Sequence, residues 1–464
     1  MDKPGSSSPS RLTSPWLWVP TLYFVQGLPY SIVNKVTPVL YKDLGVSNTD
    51  ITFWVSWLSV LWAFKALWSP LIQAVGTTRQ WVIATQAVMG PVLALLAFTL
   101  PTPFFLQASL ALFLVLAFSS ATYDVAADGF YMLGLRADQQ AAFVGVRSTF
   151  WRFALIAVES GLVMLAGFMM PRATPLVAPP DERWWSAFWR VLEEQLRAVL
   201  PQSSAGTAWS VILGATALVF VAATAFHYFT LPRPPDDAPI ARAHGAGNPV
   251  LAAGREWVRV VTPFFRKPRI AEAVLFIFFY RFAENMMLSL VAPFMKDAIE
   301  AGGLGLDNVH FGFAKGFVGV LALLLGGVLG GLAISTHGLK AWLWPMVAIM
   351  HLPDLVFVYL AWVQPQNFGE ICLWIGVEQF GYGFGFTAYM MYLLRLAQGE
   401  FKTAHYAIAT GLMALSVSLT TMWTGALQEA VGYKWFFVLV LVSVIPGVAV
   451  TAMVRLEPEF GKRT

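Results

Sequence analysis

Long apolar runs follow one another along this chain, separated by short polar breaks, with no sustained alternation of buried and exposed positions. A helix needs about 20 mostly apolar residues to cross a bilayer. The pattern predicts twelve such helices. Six cover residues 16–41, 51–73, 81–100, 105–132, 141–170 and 208–231. Six more cover 270–294, 309–332, 341–362, 368–394, 403–430 and 434–454. The breaks at 76–80 and 431–433 are so short that the helices they join must be antiparallel neighbours. The expected fold class is an all-α membrane protein of two pseudo-symmetric six-helix bundles, residues 16–231 and 270–454, with tails at 1–15 and 455–464.

Two stretches break the rhythm. Residues 232–269 open with Pro232, Pro234, Pro235, Asp236 and Asp237 and continue as a basic segment, the expected linker between halves. Within it, 249–265 reads as an interfacial helix. Residues 171–206 form an insertion between the fifth and sixth helices. Its Trp184, Trp185, Phe188, Trp189, Val191, Leu192, Leu196 and Leu200 recur near helical spacing, which predicts an amphipathic helix on the membrane surface.

Composition agrees with this reading. Charged residues make up 12% of the chain, about half the share of a soluble domain. Cys372 stands alone, which excludes a disulfide framework and a cysteine metal site. The net charge of +4 gives no case for nucleic acid, because most of the basic residues flank membrane segments. Residues 1–15 lack the charged-then-apolar order of a cleaved signal, so the first helix is expected to remain as an anchor. With both termini cytoplasmic, 17 Lys and Arg fall inside and 7 outside. The bias favours that orientation in a bacterial inner membrane.

Ionisable side chains within the spans carry the functional signal, since they are costly there and face a bundle interior. They are Lys35, Lys65, Asp124, Asp128, Arg147, Arg152, Glu159, Arg281, Glu284, Lys315, Asp354 and Glu378. A transporter needs groups that exchange partners as it rocks between states. Depth along the helices, at 1.5 Å per residue, groups Lys65, Asp124 and Arg147. It also groups Lys35 with Glu159 and Glu284 with Lys315, and leaves Arg152, Arg281 and Glu378 near the midplane. Asp124 and Asp128 share a helix face, and two close carboxylates can hold a proton. The expected proton-coupling residues are Asp124, Glu284 and Glu378. Arg152 and Arg281 are the anion-binding candidates, with Gln26, Gln379 and Tyr389 as further substrate contacts. Lys35, Lys65, Asp128, Arg147, Glu159 and Lys315 are expected to form gating charge pairs. His351 and Asp354, three apart around Pro353, read as a structural pair. Gly27 with Pro29, and Gly381, Gly383 and Gly385, sit beside polar groups and are expected to line a cavity. The stripe Gly326, Gly327, Gly330 and Gly331 reads as a packing face. No GxxxxGK[ST] loop is present, so ATP hydrolysis is not expected.

Several segments carry a family resemblance. Phe24-Val25-Gln26-Gly27-Leu28-Pro29, the Lys65–Leu71 segment and Ala121-Thr-Tyr-Asp124-Val-Ala-Ala-Asp128-Gly resemble, in order, helices one, two and four of the peptide/acetyl-CoA transporter family. That family lies within the major facilitator superfamily and includes the AmpG-type muropeptide permeases. Tyr280-Arg281-Phe-Ala-Glu284, Lys315-Gly-Phe-Val-Gly, Glu378, His405-Tyr406 and Leu427-Gln-Glu-Ala-Val-Gly-Tyr continue the resemblance through the second half. It implies proton-driven import of anhydro-muropeptides by alternating access, with no cofactor beyond the proton gradient. The partners implied are an anionic sugar-peptide and the lipid bilayer, with no nucleic acid and no obligate protein partner. The loop after helix two keeps only Arg79 of the superfamily's usual charge cluster, and the 171–206 insertion has no counterpart in the typical permease. Within transport, the alternative is another bulky anion, such as a CoA thioester or a siderophore. Outside it, the alternative is a membrane-embedded enzyme or a non-transporting sensor. The six histidines are scattered and offer no catalytic set.

Overall fold

A computed structural model describes residues 14–171, 193–234, 237, 249–457 and 460–462. The described residues are helical throughout their elements, without strands. We number the membrane helices in chain order. In the first half they are α1 (15–43), α2 (Asn48–Ala74), α3 (Thr78–Thr99), α4 (Phe105–Gly134), α5 (137–169) and α6 (Ala205–Thr230). In the second they are α7 (Ile270–Lys296), α8 (Asn308–His337), α9 (Leu339–Val363), α10 (Phe368–Leu396), α11 (402–431) and α12 (433–453). α11 and α12 run on without a loop, and the chain reverses at Gly432, whose φ of 76° favours glycine. Among the described residues, α1, α2, α10 and α11 are absent from the helices that are long and apolar enough to span a membrane on composition alone. These are helices that carry Gln26, Lys35, Lys65, Glu378 and Gln379, which suits an interior position.

In α1, α5, α7 and α8 the helix departs from regular geometry, and each of these departures carries an ionisable residue. In α1, Pro29 removes a backbone donor, and a wide π-type turn at Ile32–Val36 follows, holding Lys35. In α5 a second wide turn, Ala157–Leu162, holds Glu159, and in α8 a third, Gly312–Gly319, holds Lys315. Such turns recur at functional sites. α7 breaks at Tyr280–Arg281, between Ile270–Phe279 and Phe282–Lys296. The carbonyls freed there find side-chain donors, as buried backbone in a membrane must. The Tyr389 hydroxyl donates to Ile277 O at 2.9 Å and Ser416 Oγ to Phe278 O at 3.0 Å. His351 Nε2 donates to Tyr280 O at 3.3 Å.

Glycines set the closest approaches. A Cβ on Gly27 would meet Ala154 Cβ at 2.6 Å, so Gly27 lets α1 pack on α5. Cβ atoms on Gly381, Gly383 and Gly385 would strike α9 and α8 backbone or side chains. These glycines therefore serve packing, which corrects the expectation that they line a cavity. Gly326 and Gly330 pack on α10, as the stripe on α8 suggested.

The insertion is described only from Glu193, where residues 193–199 form a short helix; its tryptophans lie outside the described residues. The linker helix Pro249–Phe265 lies against α2 and α11. Asp237 of the linker caps α3, accepting from Thr78 N (2.7 Å), Thr78 Oγ1 (2.8 Å) and Arg79 N (3.1 Å).

Candidate functional site

The ends of α1 and α7 carry the same dipeptide, Lys42-Asp43 and Lys296-Asp297. In space the two dipeptides pair reciprocally across the halves, at the end of the molecule away from the termini. Lys42 Nζ lies 2.5 Å from Asp297 Oδ1, and Lys296 Nζ lies 2.7 Å from Asp43 Oδ1. The second pair is 8% and 9% exposed, so neither charge is well solvated. Lys42 also donates to Asn48 Oδ1 at 2.9 Å, Asn48 to Gln428 Oε1 at 2.7 Å, and the Tyr433 hydroxyl to Asp297 at 2.6 Å. Asp43 accepts from Trp209 Nε1 at 2.8 Å and Asn308 Nδ2 at 2.6 Å. Arg197 of the insertion adds a third crossing. It binds Asp307 at 3.1 Å, Glu193 at 2.8 Å and the carbonyls of Gly167 (3.0 Å) and Met170 (2.6 Å). Asp307 would be raised by burial, but hydrogen bonds from His310 and the Arg197 charge prevail and hold it at about 2. Of the ion pairs between described residues, those joining the two halves all lie at this end. Just below them α5 and α8 touch through glycine, since a Cβ on Gly316 would lie 2.6 Å from the Glu159 backbone.

Deeper in the first half, Lys65 Nζ lies 3.1 Å from Asp124 Oδ2. Arg147, expected beside Asp124 on depth, binds Asp128 instead at 3.4 Å. Its guanidinium lies 4.7 Å from the Tyr23 ring and 5.1 Å from the Tyr131 ring, and Tyr23 donates to Asp128 at 2.9 Å. Both pairs stay within one half, and their side chains are partly exposed. The Lys35–Glu159 pair expected from depth does not form, and neither residue has an ion pair among the described residues. Each sits in a wide turn that rotates its side chain away from regular helical facing. Arg152 is half-buried and likewise without an ion pair among the described residues.

In the second half, Arg281 occupies the break of α7 and is 7% exposed. Its guanidinium lies 4.7 Å from the Phe386 ring and 5.3 Å from the Tyr382 ring, and donates to the Tyr382 hydroxyl at 2.5 Å. This aromatic cradle holds the cation without neutralising it. Tyr389, expected to touch substrate, stands behind Arg281, fully buried, with its hydroxyl spent on Ile277 O. Lys315 lies 3.7 Å from Glu378, not beside Glu284 as depth suggested. Gln379 donates to both Glu378 oxygens at 2.8 Å. Gln26 is buried, and its Oε1 accepts no hydrogen bond. Glu284 is fully buried, and neither of its oxygens has a donor. The described residues contain no cluster of metal ligands.

Among solved structures, the chain is similar to a bacterial homologue of the lysosomal transporter Spinster captured inward-facing and unoccupied. That match has a TM-score of 0.64 at 12% identity, covering 97% of this chain and 96% of that one. It is also similar to a D-xylose–proton symporter, with TM-score 0.66, 11% identity and coverage of 97% and 99%. The fold is that of the major facilitator superfamily. No family model matches the chain. Among curated proteins, the putative transporter AmpG 4 of Rickettsia conorii is 22% identical over 442 residues, 92% of each chain. The anhydromuropeptide permease of Escherichia coli K12 is 22% identical over 448 residues, 95% of this chain and 79% of that protein. The resemblance to AmpG-type permeases is borne out. Both comparisons therefore liken the chain to membrane transporters, and eight of its described helices are long and apolar enough to cross a membrane.

The sequence reading missed Asp43, Asp297, Asn48 and Tyr433. The repeated Lys-Asp dipeptide at matching positions of the two halves was the available signal.

Proposed function

We propose that this protein imports anhydro-muropeptides, or a closely similar anionic sugar-peptide, together with protons, by alternating access. The observation that carries the reading is Arg281: a buried cation at a helix break, bounded by aromatic rings and without a carboxylate bonded to it. Such a group suits a ligand with both a carboxylate and an apolar sugar or acyl face. Arg152 on the facing half supplies a second cation. The likeness to a protein named anhydromuropeptide permease supports the substrate class.

In this reading the termini lie in the cytoplasm of a bacterial inner membrane, and the latched end faces the periplasm. The conformation is then closed outside, and breaking the Lys42–Asp297 and Lys296–Asp43 pairs opens it to substrate. Asp124, Glu284 and Glu378 are the acids available to carry the proton. A cofactor plays no part, and the proton gradient drives accumulation. The partners are the sugar-peptide and the bilayer, with no nucleic acid and no obligate protein. The test is uptake of labelled anhydro-muropeptide by proteoliposomes with an imposed proton gradient. Accumulation above the external concentration supports the reading. Indifference to this compound, with a response to a CoA thioester or siderophore, removes it.

A further inference from the structure

Glu284 and Asp354 come from different helices, and each lies at a break. Glu284 is in the first turn after the interruption of α7, and Asp354 closes the 3-10 turn Leu352–Asp354 that Pro353 imposes on α9. Both are buried, at 0% and 1% exposure. Neither oxygen of Glu284 and not Oδ1 of Asp354 receives a hydrogen bond, yet the two carboxyl groups lie close enough to interact with each other. Two carboxylates so placed are both acceptors, and leaving them bare in an apolar interior is costly. The atom that satisfies both is a proton.

The neighbouring histidine fixes where further hydrogens sit. Tyr280 O can only accept, so His351 Nε2, 3.3 Å away, carries a hydrogen. His351 Nδ1 then faces Asp354 Oδ2 at 3.2 Å. The groups facing this chain are Arg281 on α7, and Glu378 and Tyr382 on α10, with Lys315 of α8 beyond, against Glu378.

We infer that Glu284, Asp354 and His351 form a proton-binding site in which Glu284 and Asp354 share one exchangeable proton. When loaded, the Glu284 hydroxyl donates to Asp354 Oδ1, and doubly protonated His351 donates to Asp354 Oδ2 and to Tyr280 O. The three side chains then sum to zero charge, and their facing polar atoms are paired. Loss of the shared proton leaves a net charge of −1, and the nearest cation able to answer it is Arg281, whose Nε has no acceptor. Loading therefore frees Arg281 for an anion, and unloading draws it back to the carboxylates. Only this last link rests on the transport reading; the proton site stands without a substrate.

The test uses infrared difference spectra of the purified full-length chain over a pH titration, with no substrate present. Wild type is expected to show the C=O stretch of a buried protonated carboxyl. E284Q, whose amide donates a similar hydrogen bond, is expected to lose that band and keep the same elution profile. D354N is expected to keep the band but move it to higher frequency, because an amide accepts more weakly than a carboxylate. H351Q should change the pH at which the band titrates, and D124N should leave it unchanged. Absence of the band in wild type, its survival in E284Q, or its indifference to D354N would overturn the inference. Where D354N does not fold, E284Q decides alone. Loss of the band in E284Q upholds the proton site even if muropeptide uptake proves negative.

Discussion

Replacing Lys296 by Gln removes one of the two reciprocal pairs that join the halves. It leaves Asp43 almost buried, with Trp209 at 2.8 Å and Asn308 at 2.6 Å as its remaining donors. Removing one partner of a buried pair costs about 3–5 kcal/mol. Because those two donors persist, the low end applies, about 3 kcal/mol. When the halves part, Asp43 is hydrated and the loss disappears, so the whole cost falls on the closed state. At 1.4 kcal/mol per factor of ten, the closed-to-open ratio should drop roughly 150-fold. The sole cysteine makes the assay direct. In a C372S background, spin labels at P103C and Q366C, on exposed loops of opposite halves, report the separation of the latched end. K296Q should add a longer-distance population that wild type lacks. D43N combined with K296Q should recover part of the closed population, since no bare charge remains. A K296Q distribution superimposable on wild type, or a double variant as open as the single, would refute the reasoning.

Four further outcomes are expected. D124N, which removes the charge facing Lys65 at 3.1 Å, should abolish gradient-driven accumulation but retain counterflow exchange, because exchange needs no net proton movement; equal accumulation by D124N and wild type would exclude Asp124 as a coupling residue. R281Q and R152Q should instead weaken substrate binding in both assays, by tenfold or more if about 1.5 kcal/mol or more of charge-assisted hydrogen bonding is lost. G316A places a methyl 2.6 Å from the α5 backbone, an overpacking that costs about 1–3 kcal/mol, and should lengthen the P103C–Q366C distance as K296Q does. The Arg197–Asp307 contact should resist acid: with Asp307 depressed to about 2, its contribution is complete above the usual aspartate value and is lost only as pH falls through about 2, so R197Q should change the distance distribution equally at neutral pH and near pH 5.

The twelve helices and their division were legible because each span needs its own apolar run, and lipid allows few other solutions. The interhelical pairs were less so. Depth alone put Arg147 beside Asp124, but which face of α5 meets α4 is a lateral question, and Arg147 lies instead against Asp128 between two tyrosines. Lys35, Glu159 and Lys315 were misplaced for another reason. The wide turns that hold them change the rotation of every later side chain, and single-sequence periodicity assumes regular helices. Lys42 and Lys296 fall at helix ends, where a basic residue reads only as an orientation signal. Their partners, Asp43 and Asp297, become meaningful only when the halves are overlaid. The helix-ten glycines looked like cavity lining because Glu378 and Gln379 stand beside them, yet a Cβ on Gly381, Gly383 or Gly385 would meet the closely packed α9 or α8.

The central claim is that substrate and proton enter together. Proteoliposomes loaded with a pH-sensitive dye, with no imposed gradient, test it when anhydro-muropeptide is added outside. The account predicts internal acidification that tracks substrate entry and vanishes in R281Q. Substrate entry without acidification, or no entry at all in competent vesicles, would contradict it.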